Sequence, residues 1–262
     1  MLQVTQLAGF TANALDAPPT LATAPAVWLR ADKGLFTTSA GSVQASASGD
    51  AVGRWEDFSG NGRHYTQATG GNRPALQKGV VNGRPVVRFD GSSKFLSGVD
   101  LSSLTAAEIF IVVKVDNDPP GATAQAGLWT MGSHDGAGTG ASITTFPFTD
   151  SNIYDSFGTS ARKATGDPSP SLTSFVLYNV TSVSGEWTSN INGAQHFTTG
   201  TNTVGFRTNT AIGVGAESGL TNIQNSLDGD IAELILYPAK LSSGDRTALE
   251  AYIAKLYAIA VA

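Results

Sequence analysis

The 262-residue chain has no cysteine, which excludes disulfides, thiolate metal centres and cysteine nucleophiles. Only 14% of its residues are charged and the net charge is −5, with no Lys/Arg cluster, so the balance argues against a nucleic-acid partner. Thirty glycines and abundant Ser, Thr and Asn suit strands and tight turns rather than helices with charged faces.

Residues 1–25 read as an arm or linker, because Pro18, Pro19 and Pro25 forbid a regular element. Met1–Phe10 lacks a basic start followed by a long apolar run, so no signal peptide is expected. Leu2, Val4, Leu7 and Phe10 would dock on a partner subunit or on their own domain. Residues 26–262 form the folded domain, and none of its apolar runs approaches the ~20 residues that span a membrane.

The first strand is expected over Ala26–Ala31, followed by a polar loop over Thr37–Gly49. In Arg54–Gln67 the Ser59-Gly60-Asn61-Gly62 segment supplies a tight turn. Pro85–Leu96 reads as two strands joined around Asp90-Gly91. Ile109–Val115 is β-branched and apolar almost throughout, which predicts a central strand covered on both faces. Asp116–Asp167 is loop-rich, with short strands at Ala126–Met131, Ile143–Phe148 and Ile153–Phe157. A strand pair over Ser174–Val183 and Trp187–Phe197 and strands at Ala211–Gly215 and Ile231–Tyr237 follow. The chain closes differently. Ser242 and Asp245 fit a capping box, and Leu249, Tyr252, Ile253 and Leu256 recur at helical spacing, predicting a helix over Ser243–Ile259.

Three segments resemble one family: Trp55-Glu56-Asp57-Phe58-Ser59-Gly60-Asn61-Gly62 with Gln67, Val87-Arg88-Phe89-Asp90-Gly91 with Phe95-Leu96, and Gly229–Tyr237 running into Leu241 and Leu249–Tyr252. Their order is similar to that of the concanavalin A-like and laminin-G-like jelly rolls of bacterial and phage proteins, and Ile191-Asn192-Gly193 resembles that family's hairpin. The resemblance implies an all-β, two-sheet antiparallel sandwich with one C-terminal helix. It also implies a virion or cell-surface location, as in head spikes or fibres of tailed phages and gene-transfer agents, with contacts to other virion or surface proteins through the arm and a homo-oligomeric state.

For chemistry, the E-x-D-x-x-E pattern of β-glucan hydrolases on this scaffold is absent, since no two of the six Glu lie within ten residues of each other. A pair assembled only by folding stays open. The expected function is therefore a non-enzymatic, lectin-like module that recognises host or capsular polysaccharide. The alternatives are a structural spike protein, or a lyase or hydrolase using His134, Tyr154 and Arg162. Trp129, His134, Asp135, Tyr154, Asp155, Arg162 and Trp187 are the candidate sugar contacts, with Trp129 and Trp187 equally readable as core. Asp116 with Asp118, and Asp228 with Asp230, crowd oxygens into turns and are the candidate Ca²⁺ ligands, or else simple turn residues.

Overall fold

The computed structural model describes residues 18–118, 126–133, 144–216 and 223–262. In chain order the strands are β1 (Val27–Arg30), β2 (Leu35–Phe36), β3 (Arg54–Trp55), β4 (Tyr65–Thr66), β5 (Ala75–Val81), β6 (Arg84–Asp90), β7 (Leu96–Ser97), β8 (Ala107–Val115) and β9 (Trp129–Gly132). They continue as β10 (Ile153–Asp155), β11 (Lys163–Gly166), β12 (Val176–Val183), β13 (Glu186–Ile191), β14 (Ala194–Thr199), β15 (Phe206–Ile212), β16 (Val214–Ala216), β17 (Ile223–Ser226) and β18 (Asp228–Tyr237), and the helix α1 (Ser243–Tyr257) ends the chain.

Two antiparallel sheets make the sandwich. The large one runs β14-β13-β12-β8-β18-β6-β5, and the small one β2-β3-β4-β7-β15-β9. The ten-residue β18 is long enough to take two neighbours along one edge. Its first half pairs with β6, from Asp228 opposite Asp90 to Ile231 opposite Val87. Its second half pairs with β1, from Glu233 opposite Arg30 to Leu236 opposite Val27.

The centre of the large sheet is dry on both faces, for two separate reasons. Inward-facing Ile109, Ile111, Val113, Ile231, Leu234 and Leu236 meet Trp55, Leu96, Trp129 and Ile212 of the small sheet in one core. Outward-facing Phe110, Val112, Leu177, Ile235 and Tyr237 meet Leu249, Ile253, Leu256 and Tyr257 of α1 in a second. Because side chains alternate along a strand, a strand serving two cores must be apolar at every position. That accounts for the apolar run Ile109–Val113 at the centre of β8, flanked by the buried Glu108, which accepts from Arg246, and by Lys114, which pairs with Asp116. The helix starts where Ser242 Oγ accepts the Asp245 amide at 3.1 Å, and stops at left-handed Ala258. Leu21, from the segment read as an arm, also packs on this second core, while Leu2, Val4, Leu7 and Phe10 lie outside the described residues.

The fold departs locally from expectation. Leu96–Ser97 does not pair back onto β6 but crosses to the small sheet, beside β15. Trp187–Phe197, read as one strand of a pair, is two strands, β13 and β14, reversed at Asn192 (φ 51°) and Gly193 (φ 79°), where the resemblance of Ile191-Asn192-Gly193 implied a hairpin. β5 was not foreseen, because Lys78 and Gly79 interrupt its pattern. Thr145 makes isolated bridges to Gly127 and Tyr154 instead of opening a strand. No helix among the described residues is long and apolar enough to cross a membrane.

Candidate functional site

One end of the β6–β18 ladder carries the densest surface chemistry. On β6, Val86, Arg88 and Asp90 share the outward face, and on β18 Asp228 and Asp230 lie opposite Asp90 and Arg88. Residues so opposed hold their Cβ atoms about 4.5–5.5 Å apart, so Asp90 and Asp228 stand side by side. The arrangement depends on two glycines. A side chain at Gly229 would collide with the Lys114 carbonyl oxygen, so glycine lets β18 lie close on β8. Gly91 (φ 71°) turns the chain just after Asp90, under the Asp228 side chain, and donates its amide to the Leu227 carbonyl at 2.9 Å.

Behind the two carboxylates an ion-pair network fixes the face. Arg88 donates Nε and Nη2 to the two oxygens of Asp230 at 2.7 and 2.8 Å, and Lys114 lies 3.8 Å from the same carboxylate. Asp230 is fully buried, so this charge depends on its partners. Lys114 also binds Asp116 at 2.6 Å, and the Asp116 amide donates to the Asp228 carbonyl.

The two opposed carboxyls are driven in opposite directions. Partial burial would raise Asp90, but the Ser92 hydroxyl (2.6 Å) and amide (3.2 Å), with Lys94 at 3.8 Å, hold it below the usual carboxylate range. Asp228 is pushed up, by partial desolvation at the strand ends and by the charges of Asp116 and Asp90. Both causes favour the protonated form, and Lys114 opposes them only in part. Such divergence is how paired carboxyls become acid and base.

Beside them lies a cleft of about 420 Å³, within the range of small-ligand sites. Ala75 and Gln77 of β5 and Arg88 and Asp90 of β6 form its floor, and Arg73 and Lys94 stand among its rim residues.

The residues singled out from sequence fall elsewhere. Trp129 and Trp187 are fully enclosed. Trp129 stacks on Tyr178 at 5.8 Å and donates its indole N–H to Asp155 at 3.1 Å, and Trp187 donates to the Phe157 carbonyl at 3.0 Å. Both are core, because a flat aromatic with one N–H fills the space between sheets once that N–H has a partner. Asp155 is also fully buried, accepting in addition from Thr144 Oγ1, the Phe157 amide and the Tyr178 hydroxyl, so a surface ligand cannot reach it. Tyr154 and Arg162 do meet near the surface, with the guanidinium 4.9 Å from the ring centre and the Tyr154 hydroxyl on Asp150. His134 and Asp135 lie outside the described residues.

The metal reading separates. Asp118 turns away from Asp116 to accept from the Ser171 hydroxyl and the Leu172 amide at 2.5 and 2.8 Å. Asp230 is occupied by Arg88. Among the described residues no three His, Asp or Glu side chains stand close enough to hold a metal ion. Sequence reasoning missed Arg73, Arg88, Asp90 and Lys94. The one available signal was the outward alternation of Arg88 and Asp90 running into a Gly-Ser-Ser-Lys turn.

No family model and no curated protein matches the chain. Solved structures do match it in fold. A Trypanosoma rangeli sialidase in complex with sialic acid aligns at TM-score 0.55 and 14% identity, over 87% of this chain and 32% of the sialidase chain. A mutant α-L-arabinofuranosidase soaked with 4-nitrophenyl α-L-arabinofuranoside aligns at TM-score 0.52 and 15% identity, over 79% and 51%. A mutant of HCR/D aligns at TM-score 0.56 and 12% identity, over 88% and 52%. The chain thus spans about a third to a half of the chains it resembles. The expectation of a recognition module without enzymatic activity is corrected on this point: the fold recurs in glycoside-cleaving enzymes. The argument from a missing Glu motif fails for a physical reason, since cross-strand pairing brings together Asp90 and Asp228, which are far apart in sequence.

Proposed function

We propose that this sandwich works on carbohydrate as part of a glycan-processing protein, with a sugar chain in the cleft beside β5 and β6 and Asp228 and Asp90 as its acid–base pair. The observation that carries the reading is the cross-strand opposition of Asp90, which lines the cleft, and Asp228, its neighbour on β18 outside the lining, with the first carboxyl pushed down and the second up. In this reading Asp228 protonates the leaving glycosidic oxygen as the ionised Asp90 carboxylate bonds to the anomeric carbon, and a water that gives its proton back to Asp228 then displaces Asp90 and releases the sugar. Direct cross-strand opposition sets the Cβ atoms about 4.5–5.5 Å apart, from which the two carboxyl groups can take up the roughly 5 Å separation of the retaining geometry. The sialidase and arabinofuranosidase likenesses support a carbohydrate ligand. A place on a virion or cell surface rests on the family resemblance alone.

The test is release of sugar from sialosides, arabinosides and bacterial capsular polysaccharide by the full chain, beside the Asp228→Asn and Asp90→Asn variants. Release by the wild type and its loss in both variants is the expected result. Absence of both release and binding across these substrates overturns the reading.

A further inference from the structure

We infer that the cleft selects an acidic sugar, one bearing a carboxylate, and that Lys94 and Arg88 recognise the anionic group while Arg73 supplies a fixed positive field. The inference rests on the reading of this cleft as a sugar site and adds to it the class of substrate. The chain is acidic, with 16 Lys and Arg against 21 Asp and Glu. The cleft reverses that balance, because Arg73, Arg88 and Lys94 line it against the single carboxylate of Asp90.

The three cations differ in how much charge they keep. Arg73 donates to the carbonyls of Gln67, Thr37 and Ala68 at 2.9, 2.9 and 2.8 Å. Carbonyls hold a guanidinium in place without neutralising it, so its full charge remains over the cleft. Lys94 donates to the Gly71 carbonyl at 2.6 Å and stands 3.8 Å from Asp90, so it is aimed but only loosely paired. Arg88 spends Nε and Nη2 on Asp230, yet its side chain is 39% exposed, and neither of those bonds uses Nη1. Among the described residues nothing aromatic lines the cleft, so they offer a neutral pyranose no stacking platform. What the lining offers is charge and N–H donors, and those favour an anion.

The experiment is calorimetric titration of the full chain with two matched pairs. These are tetragalacturonate against its neutral methyl ester, and 3′-sialyllactose against lactose. At least one acidic member is expected to bind about tenfold or more tightly than its neutral counterpart, a difference of about 1.4 kcal/mol. Which pair shows the difference separates a uronate from a sialate ligand. The preference should shrink sharply as salt rises toward 1 M, where screening falls to about 3 Å. It should also vanish in Lys94→Gln, which removes the charge, keeps a donor for the Gly71 carbonyl and brings no new carboxylate beside Asp90, with the fold of the variant checked by circular dichroism. Equal affinity within both pairs overturns the inference and leaves the carbohydrate reading standing. An acidic preference that survives Lys94→Gln unchanged overturns the assignment to this cleft. No binding of any of the four, together with no sugar release, overturns both.

Discussion

Arg88 and Asp230 show how unequal the two halves of an ion pair can be. Asp230 is fully buried and Arg88 is partly in water. Removing the arginine strands a buried charge, whereas removing the aspartate frees a side chain that can hydrate. Breaking a fully buried pair costs about 3–5 kcal/mol, but Lys114 stays 3.8 Å from Asp230 and offsets part of that. Arg88→Ala should therefore lower unfolding free energy by about 2 kcal/mol in urea titrations, and Arg88→Lys by less. Asp155 gives a second prediction at this scale. Burial pushes its carboxyl up, against the pull of Thr144, Phe157, Tyr178 and Trp129. With the folded value raised, the native state holds a proton that the unfolded chain has released above its own value near 4. Stability from this group is thus present at low pH and is lost as pH rises from about 4 to the folded value. Asp155→Asn keeps an oxygen for the three donors at Oδ1 and can donate to Tyr178 in place of accepting from it. It should flatten the pH dependence of the thermal midpoint above pH 4.

At the scale of elements, α1 covers what would otherwise be an apolar outer sheet face. Ile253→Ala should cost about 2–4 kcal/mol, because the residue is enclosed between the helix and Phe110, Val112 and Ile235. Ser242→Ala should cost about 1 kcal/mol through the lost cap. Both are measured by chemical unfolding, and a larger effect of the cap than of the core residue would contradict this account. The helix was legible in sequence because its signals are local, a cap and a period of 3.6, whereas its stop at left-handed Ala258 carries no Gly or Pro signal and the expected end at Ile259 overran it by two residues. β8 was legible because its stretch between the two cores, Ile109–Val113, is apolar at every position. The site was not legible, because Asp90 and Asp228 become neighbours only through the antiparallel register of β6 and β18. The tryptophans misled for a related reason. Gly- and Ser-rich sequence beside Trp129 and Trp187 looks like an exposed loop, whereas their indole N–H groups are answered inside, by Asp155 and the Phe157 carbonyl.

At the scale of the whole molecule, the two sheets and the helix form three layers, and the cleft opens on the same outer face that α1 partly covers. The chain segment before β1 joins this layering through Leu21. A chain starting at residue 18 keeps that contact, and one starting at residue 26 loses it. The shorter chain should be less stable by about 1 kcal/mol, the scale of one partly buried leucine, read from denaturant midpoints. Residues 18–262 should therefore unfold as one cooperative unit, with near-ultraviolet and far-ultraviolet signals melting together.

β18 runs from the exposed Asp228 to Tyr237 with side chains in both cores and strand partners along both edges. Its central amides cannot reach solvent by any local fluctuation that leaves the sandwich intact. In heavy water they should exchange their protons only when the entire domain opens, so their exchange rate reports global stability directly. The amides at the Asp228 end, where β18 meets the turn and the cleft, should exchange orders of magnitude sooner. A single strand would then record both the opening of the whole fold and the local breathing at the Asp228 end, and a ligand held in the cleft would slow both, the first by the free energy with which it binds the folded state.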